Sequence, residues 1–558
     1  MKKGVSIIVL LILSIPASLY LLKAGFYEPH DLHHFADIYE MYRAFMSGQI
    51  PPRWGPDFLY GYGYPLFNFY YLLPFYLGSL FLFIFGSIQT SFKLVFLATI
   101  IISMFGMYFL MREFVGKLAS VVGAALFLYT PYRAVQIYVR GAMGEALGLS
   151  LLPFAVWSLV KLTETKNGNR NIAVAALINS LLILSHNYLW AMSYPFLFLL
   201  FLSISNKTKL RQNIGKITIA LLLSLGISAY WLIPALIEQN LVVSDTPFPL
   251  IDHFPFIKQL IIPSWGYGSS VWGPNDEMSF QIGLVNLILI FFATFLFFVN
   301  RMKISLKNKK VLIWAFVGFF ISVFFMNIRT YPIWKIFSFH DFIQFPWRLL
   351  IFTTFFSSIV AAILVESASK NRKYLFSFGI IVSSLILTFG YFRPSKLIYK
   401  TDDEYLSRFF ANRKTTGYKG EPSQEYLQYS EDYLLLPKWV EGKPNSLPER
   451  KFVSNDSQIN NIFEINPVKW TAQTVSENDS KLTFNSIYFP GWKAKVDNRN
   501  WKINVGKPYG QMEITIPKGK HNVEFYWNET SLRKYSNYIS VFSLFVVSML
   551  LIKAGKNE

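Results

Sequence analysis

Three carboxylates and a pair of adjacent histidines stand close together just behind the first apolar run, as Glu28, Asp31, His33, His34 and Asp37 in EPHDLHHFAD. Ionisable groups beside a membrane-spanning helix are costly unless they serve a function. Asp31 follows that helix by about ten residues of chain, near enough to meet the head group of a lipid-linked substrate. A carboxylate there can take the proton of an acceptor hydroxyl as general base, with Glu28 and Asp37 as flanking candidates and His34 as a binding group. The same letters also read as a helix cap, with Asp31 accepting backbone N–H bonds. Two histidines beside an acid are suitable donors for a divalent metal. HDLHH, however, lacks a fixed one-face spacing, and the chain has no Cys to help. The sequence requires no cofactor and leaves a divalent metal open.

A second set lies in PYRAVQIYVRGAMGE, which carries Tyr132, Arg133, Arg140 and Glu145. The planar fork of Arg140 suits a lipid phosphate, and its permanent charge stabilises negative charge developing on a leaving group. Glu145 orients that Arg or holds a sugar hydroxyl; on the blander reading the two close the turn as an ion pair while Arg133 snorkels toward head groups. His186 and Asn187 in LSHN belong to the same level. Trp265 and Tyr267, followed by Trp272, Asp276 and Glu277, mix aromatics with acids as sugar-binding surfaces do, and interfacial anchoring accounts for them equally well. Arg348, closing the segment HDFIQFPWR from His340, is a second phosphate partner or a helix-end snorkel. The chain has no Gly-rich phosphate loop, GxSxG elbow or HExxH pair, so soluble nucleotide chemistry has no support.

These side chains need a scaffold, and composition says which solvent it sees. Of the 558 residues 53% are hydrophobic and only 15% are charged, well under the roughly 25% of soluble domains. The chain reads as a polytopic α-helical membrane protein. Its formal charge of +20 sits in short Lys and Arg clusters between apolar runs, which orients helices and argues against nucleic acid.

Apolar runs recur near 5–22, 92–110, 118–131, 146–160, 171–185, 190–205, 217–234, 281–300, 311–326, 349–365, 374–391 and 536–552, about twelve spans. The first looks like a signal peptide but reads as an uncleaved helix. If Leu66 to Phe85 does not cross but lies on the outer face, the basic clusters from Arg112/Lys117 to Lys553/Lys556 all fall on the side of Lys2 and Lys3. Both termini are then cytoplasmic. The outer side collects 23–91, 131–145, 186–189, 235–280, 327–348 and a polar region from about 392 to 535.

Three parts follow: a membrane domain over 1–391, an extracytoplasmic domain over 392–535 that is β-rich from about 460, and a final helix with its tail over 536–558. KLTFNSIYF, WKAKVD, WKINV, MEITIP and HNVEFYW alternate as strands separated by PGW, DNRN and PKGK turns, the pattern of an antiparallel β-sandwich. Residues 401–450 show no clear periodicity.

SGQIPPRWGPDFLYGYGYPLFNFYY, PYRAVQIYVRGAMGEALGLSLLPF, LSHN, YWLIPAL and IQFPWRLL resemble the bacterial and archaeal membrane proteins called 6-pyruvoyl-tetrahydropterin synthase-related, a label that implies no pterin chemistry. YFPGWKAKVDNRNWKINV with IPKGKHNVEFYW resembles the end of YfhO-like membrane proteins, placed in or beside the GT-C glycosyltransferase superfamily. The resemblance implies a GT-C-like enzyme taking a sugar from a polyprenyl-phosphate donor on the outer face, with an acid of the first outer loop as base. Here that acid is Asp31, with Glu28 and Asp37 as neighbours. The chain departs from the pattern in having no compact DxD pair after the first helix.

The expectation is sugar transfer to an envelope glycan, lipid or protein acceptor at the bilayer surface. The rivals are a transporter or flippase for lipid-linked glycans, which would place polar groups mid-membrane in broken helices, and a non-catalytic envelope-assembly protein.

Overall fold

The computed structural model describes residues 3–163, 168–205, 207–243, 249–339, 343–410, 435–442, 444, 448 and 450–555. His340, Asp341, the Lys2 and Lys556 ends of the charge pattern and much of 401–450 lie outside them.

Each of the apolar runs folds as helix: Lys3–Leu22, Ile88–Arg112, Lys117–Leu128, Met143–Leu162, Gly168–Ser185, Leu189–Ile204, Leu210–Glu238, Leu284–Phe298, Leu306–Phe325, Leu350–Ser367, Lys370–Thr388 and Ser531–Gly555. Among the described residues eight helices are long and apolar enough to cross a membrane, or nine if one bent pair is a single span. Leu189–Ile204 and Leu284–Phe298 are apolar but shorter; at 1.5 Å per residue they reach roughly 24 Å against a hydrocarbon core of about 30 Å. The bent pair is Lys117–Leu128 with Pro131–Arg140, turned by 51°. Pro131 has no N–H to continue the first helix and instead starts the second, which closes as a π-helical turn over Val135–Arg140.

The final helix packs against Leu210–Glu238 and Gly168–Ser185. Small residues set that contact. Ser540 Oγ donates to Gly226 O at 3.0 Å and accepts from Tyr230 N at 2.8 Å.

Leu66 to Phe85 is a turn at Leu66–Phe69, a break at Tyr70, and a 13-residue helix Leu73–Phe85. Pro74, Phe75, Gly78, Ser79 and Leu82 face inward, against His34–Met46 and Ile88–Arg112, while Leu80, Phe83 and Phe85 stay exposed. About 20 Å long, it cannot span alone.

The two ends of the bundle differ in chemistry. The segments expected together on one side do meet: Phe26 pairs with Ile398, His34 reaches Gly141, Tyr71 stacks on His186, His30 bonds Tyr267 and Arg348 faces Glu145. At the opposite end Lys161 pairs with Glu113, Lys307 donates to Glu113 O, and Lys373 pairs with Glu366.

Among the described residues the β-domain has nine strands: β1 Phe452–Val453, β2 Gln458–Asn466, β3 Lys469–Ser476, β4 Ser480–Ile487, β5 Trp492–Val496, β6 Arg499–Trp501, β7 Asn504–Val505, β8 Gln511–Ile516 and β9 Gly519–Trp527. They form antiparallel sheets of order β1-β4-β8-β7 and β2-β3-β9-β5-β6. Among the described residues the strands thus start at Phe452, β1, β2 and β3 add to those read from alternation, and WKINV divides between β6 and β7, which lie in different sheets. Alternate residues bury Trp470, Ala472, Phe484, Phe525 and Trp492 between the sheets, with Phe484 and Phe525 stacked at 4.7 Å.

The IPPRW turn docks this domain on the bundle. Arg53 Nε donates to Glu529 at 3.1 Å, and Trp54 packs on Trp492 and Trp527 at 5.5 and 5.3 Å. Tyr62 O accepts from Ile487 N and Ser486 Oγ, and Lys451 donates to Gly61 O.

Candidate functional site

Two glycines of RGAMGE let the first loop close on the bent helix. Gly141 has φ +67°, and a Cβ there would lie 2.5 Å from Pro29 Cγ; at Gly144 a Cβ would meet the Tyr71 ring and Ser185 O. Glycine alone accepts that conformation and approach without strain. The loop therefore runs beside the turn, with His30 N–H bonded to Val139 O at 3.0 Å and Asp31 N–H to Arg140 O at 2.7 Å. Asp31 is half-buried, just ahead of the His34–Met46 helix. Burial pushes its carboxyl up, but the Arg140 guanidinium, first among the groups that oppose it, holds it below the usual range. It stays ionised at neutral pH.

Glu145 is the hub on the other side. Its Oε1 accepts from Tyr132 and from Gln136 at 2.9 Å, while its Oε2 accepts from Arg140 Nη1 at 2.8 Å and lies 3.5 Å from Arg348 Nε. One buried carboxylate thus holds two guanidiniums. The Arg140 guanidinium also lies over the Trp347 ring at 4.6 Å, and Trp347 stacks on Phe345 at 5.1 Å. Asp31 senses Arg140 electrostatically from the loop side. The paired cations form a ready cradle for an anion such as phosphate.

A layer of rings connects the loop to His186. His34 Nδ1 lies 3.0 Å from Gly141 O; a carbonyl cannot donate, so Nδ1 carries the proton and Nε2 accepts from Tyr71 OH at 2.8 Å. Tyr70 OH lies 3.2 Å from the Nε2 atoms of both His33 and His34. Tyr71 stacks on Tyr70 at 4.3 Å and on His186 at 5.6 Å. Burial is the main cause that brings the His34 and His186 imidazoles down to about 3, so both are neutral. His33 and Asp37 face each other one turn apart at 3.9 Å.

Asp31, His34, Arg140, Glu145, His186 and Arg348 are therefore brought together, with Asp37 at the edge. Others lie elsewhere. Glu28 pairs with Lys400 and Arg408 at 3.4 and 3.3 Å and ties down the segment after the bundle. Arg133 is fully buried between helices, donating to Ala146 O, Thr99 O and Ser150 Oγ, and stands behind Glu145, linked to it through Gln136. Trp265 stacks on Tyr391 at 4.4 Å, and Tyr267 donates to Arg393 O, so both clasp chain segments. Asp276 accepts from Gln259 and Val271 within its own loop.

The chain matches the family described as "6-pyruvoyl-tetrahydropterin synthase related domain; membrane protein" over residues 67–395, more than half its length. It belongs to that family. An uncharacterized protein of Lactococcus lactis subsp. cremoris strain MG1363 is 25% identical over 599 residues, covering 98% of this chain and 95% of its own. Among solved structures, the arabinofuranosyltransferase AftD from Mycobacteria is similar with a TM-score of 0.45 and 14% identity over 70% of this chain. The Archaeoglobus fulgidus oligosaccharyltransferase follows at 0.43 and 14% over 80%. The chain spans 28% of the first and 58% of the second.

Within this member of the 6-pyruvoyl-tetrahydropterin synthase-related family, the matched region holds Tyr70, Tyr71, Arg140, Glu145, His186 and Arg348. Asp31 and the two histidines precede it, and the β-domain follows it. Tyr70, Tyr71, Gln136 and Trp347 are site neighbours that residue type alone did not single out. The YY pair ending the aromatic run and the FPWR motif were their signals.

Proposed function

We propose that the protein is a membrane glycosyltransferase of GT-C type, working at the face that carries the β-domain. It moves a sugar from a polyprenyl-phosphate donor to a hydroxyl of an envelope glycan, lipid or protein. One observation carries the reading: an ionised Asp31 and the Arg140 and Arg348 guanidiniums converge at one end of the bundle, tied by the Asp31 to Arg140 backbone bond. In the reaction, the Asp31 carboxylate takes the acceptor's hydroxyl proton, and the oxygen attacks the anomeric carbon from the face opposite the phosphate. The bond from that carbon to the phosphate oxygen breaks, its electron pair leaves with the lipid phosphate, and Arg140 and Arg348 stabilise the charge. Inversion at the sugar follows.

The β-domain would hold the acceptor or cover the site. The segregation of Lys161, Lys307 and Lys373 at the far end supports a cytoplasmic side there and an extracytoplasmic 392–535 region in the cell membrane. The bent pair Lys117–Leu128 and Pro131–Arg140 favours a second reading, a flippase for lipid-linked glycans.

The deciding experiment compares purified wild type with Asp31→Asn on a polyprenyl-phosphate sugar and acceptor. Loss of about a hundredfold or more in rate is expected for removal of a general base. Full transfer by Asp31→Asn removes the proposed base, and lipid-linked glycan crossing vesicles without any transfer selects the flippase.

A further inference from the structure

We infer that His33, His34 and Asp37 form a binding site for a divalent cation of the zinc type. One ligand atom from each converges, all within 4.8 Å of one another. The residues sit at the start of the His34–Met46 helix: His33 and Asp37 share a face at a spacing of four, and His34 reaches the same point because its ring centre lies 4.3 Å from that of His33. HDLHH alone shows no one-face spacing; Asp37, one turn further on, completes the set.

A second observation points the same way. The carbonyl of Gly141 accepts from His34 Nδ1, which fixes the ring and turns the Nε2 lone pair into the cluster. A backbone carbonyl on the far nitrogen is the usual way a protein orients a metal-ligating imidazole. The donor set then chooses the ion. Two imidazoles and one carboxylate suit zinc, manganese, cobalt or ferrous iron, whereas magnesium and calcium prefer oxygens throughout. Three protein ligands leave positions for water or a substrate oxygen. Without a cation, the hydroxyls of Tyr70 and Tyr71 satisfy the two imidazoles, which is the competing state.

The full chain in detergent, stripped by a chelator and given Zn2+ alone, is separated by gel filtration and its bound metal counted by mass spectrometry. About one zinc per chain is expected, and His33→Gln and Asp37→Asn should each weaken binding at least about tenfold. Melting temperatures in chelator show whether those variants fold. Should either not fold, the visible spectrum of the cobalt-loaded wild type decides: imidazole and carboxylate ligation supports the site, and a hexa-aquo spectrum overturns it. Less than about a tenth of an equivalent bound by wild type, or equal affinity in wild type and folded variants, also overturns it. Binding is read without a transfer assay, so its failure leaves the transferase reading standing, and the reverse holds too.

Discussion

The backbone N–H of Asp31 donates to the carbonyl of Arg140 across 2.7 Å. The acid of the first loop and the guanidinium at the end of the bent helix are thus positioned by their main chains. The Arg140 side chain turns to Glu145 and Trp347, so replacing the side chain of either residue should leave the other in place.

Gly141 makes that main-chain contact possible, so it is the position where a methyl group does most harm. Its φ of +67° and the 2.5 Å approach to Pro29 predict that Gly141→Ala destabilises the chain by about 1–2 kcal/mol from left-handed strain, before any clash. Transfer should fall further than stability, because the loop carrying Asp31 must move off. Melting temperature and transfer rate, measured on one preparation, check both; unchanged values mean the loop is not held there.

Glu145→Gln removes the carboxylate charge that pairs with both Arg140 and Arg348 and leaves two buried cations. Breaking such a group by losing one partner costs about 3–5 kcal/mol. A polyprenyl phosphate should restore much of that by supplying the missing anion. Thermal unfolding with and without the lipid reads the difference, and a variant that gains nothing from phosphate argues against the pair as a phosphate cradle.

Arg533 in the final helix is completely buried against Glu238, with Nε and Nη2 at 3.0 and 2.9 Å from the same Oε2, and Asn68 donates to that oxygen too. Arg533→Leu should cost about 3–5 kcal/mol by stranding Glu238. Adding Glu238→Leu should recover most of the loss. Denaturation of the single and double variants tests the pair; additive losses would mean that the two side chains act separately.

The contact between β2 and the first loop is predicted to depend on pH. Burial is the main reason the Glu464 carboxyl rises to about 7, with Asp57 adding to the rise and Arg43 and Lys451 opposing it. A carboxyl raised in the folded state binds its proton more tightly there than in the unfolded chain. Its contribution is fully present below the unfolded value of 4.5 and is lost as pH rises through about 7. Melting temperature should therefore decline between these limits, with a flatter profile in Glu464→Gln; identical profiles would rule out Glu464 as the source. Glu464 is half-exposed, so the effect is modest.

How much was legible follows from the range of the forces involved. Apolar runs and strand alternation are local, because each stretch of chain partitions between lipid, water and core by its own composition. Every run expected to be a helix is one, four of the five stretches read from alternation are strands while WKINV divides between β6 and β7, and Lys161, Lys307 and Lys373 gather around Glu113 and Glu366. Asp31, Arg140, Glu145 and Arg348 stood out in the sequence as costly charge in an apolar chain.

Partnership was not. Glu28 and Asp31 are three residues apart, yet one holds Lys400 and Arg408 while the other sits beside Arg140. Arg133 and Arg140 share the Pro131–Arg140 segment, yet the first is buried against the carbonyls of Ala146 and Thr99 and the second reaches Glu145. The sequence by itself determined which stretches seek lipid and which residues are too polar to be there without a task. Only tertiary packing decided which of them meet, because helices that pack side by side bring together residues hundreds of positions apart, and no local preference encodes that.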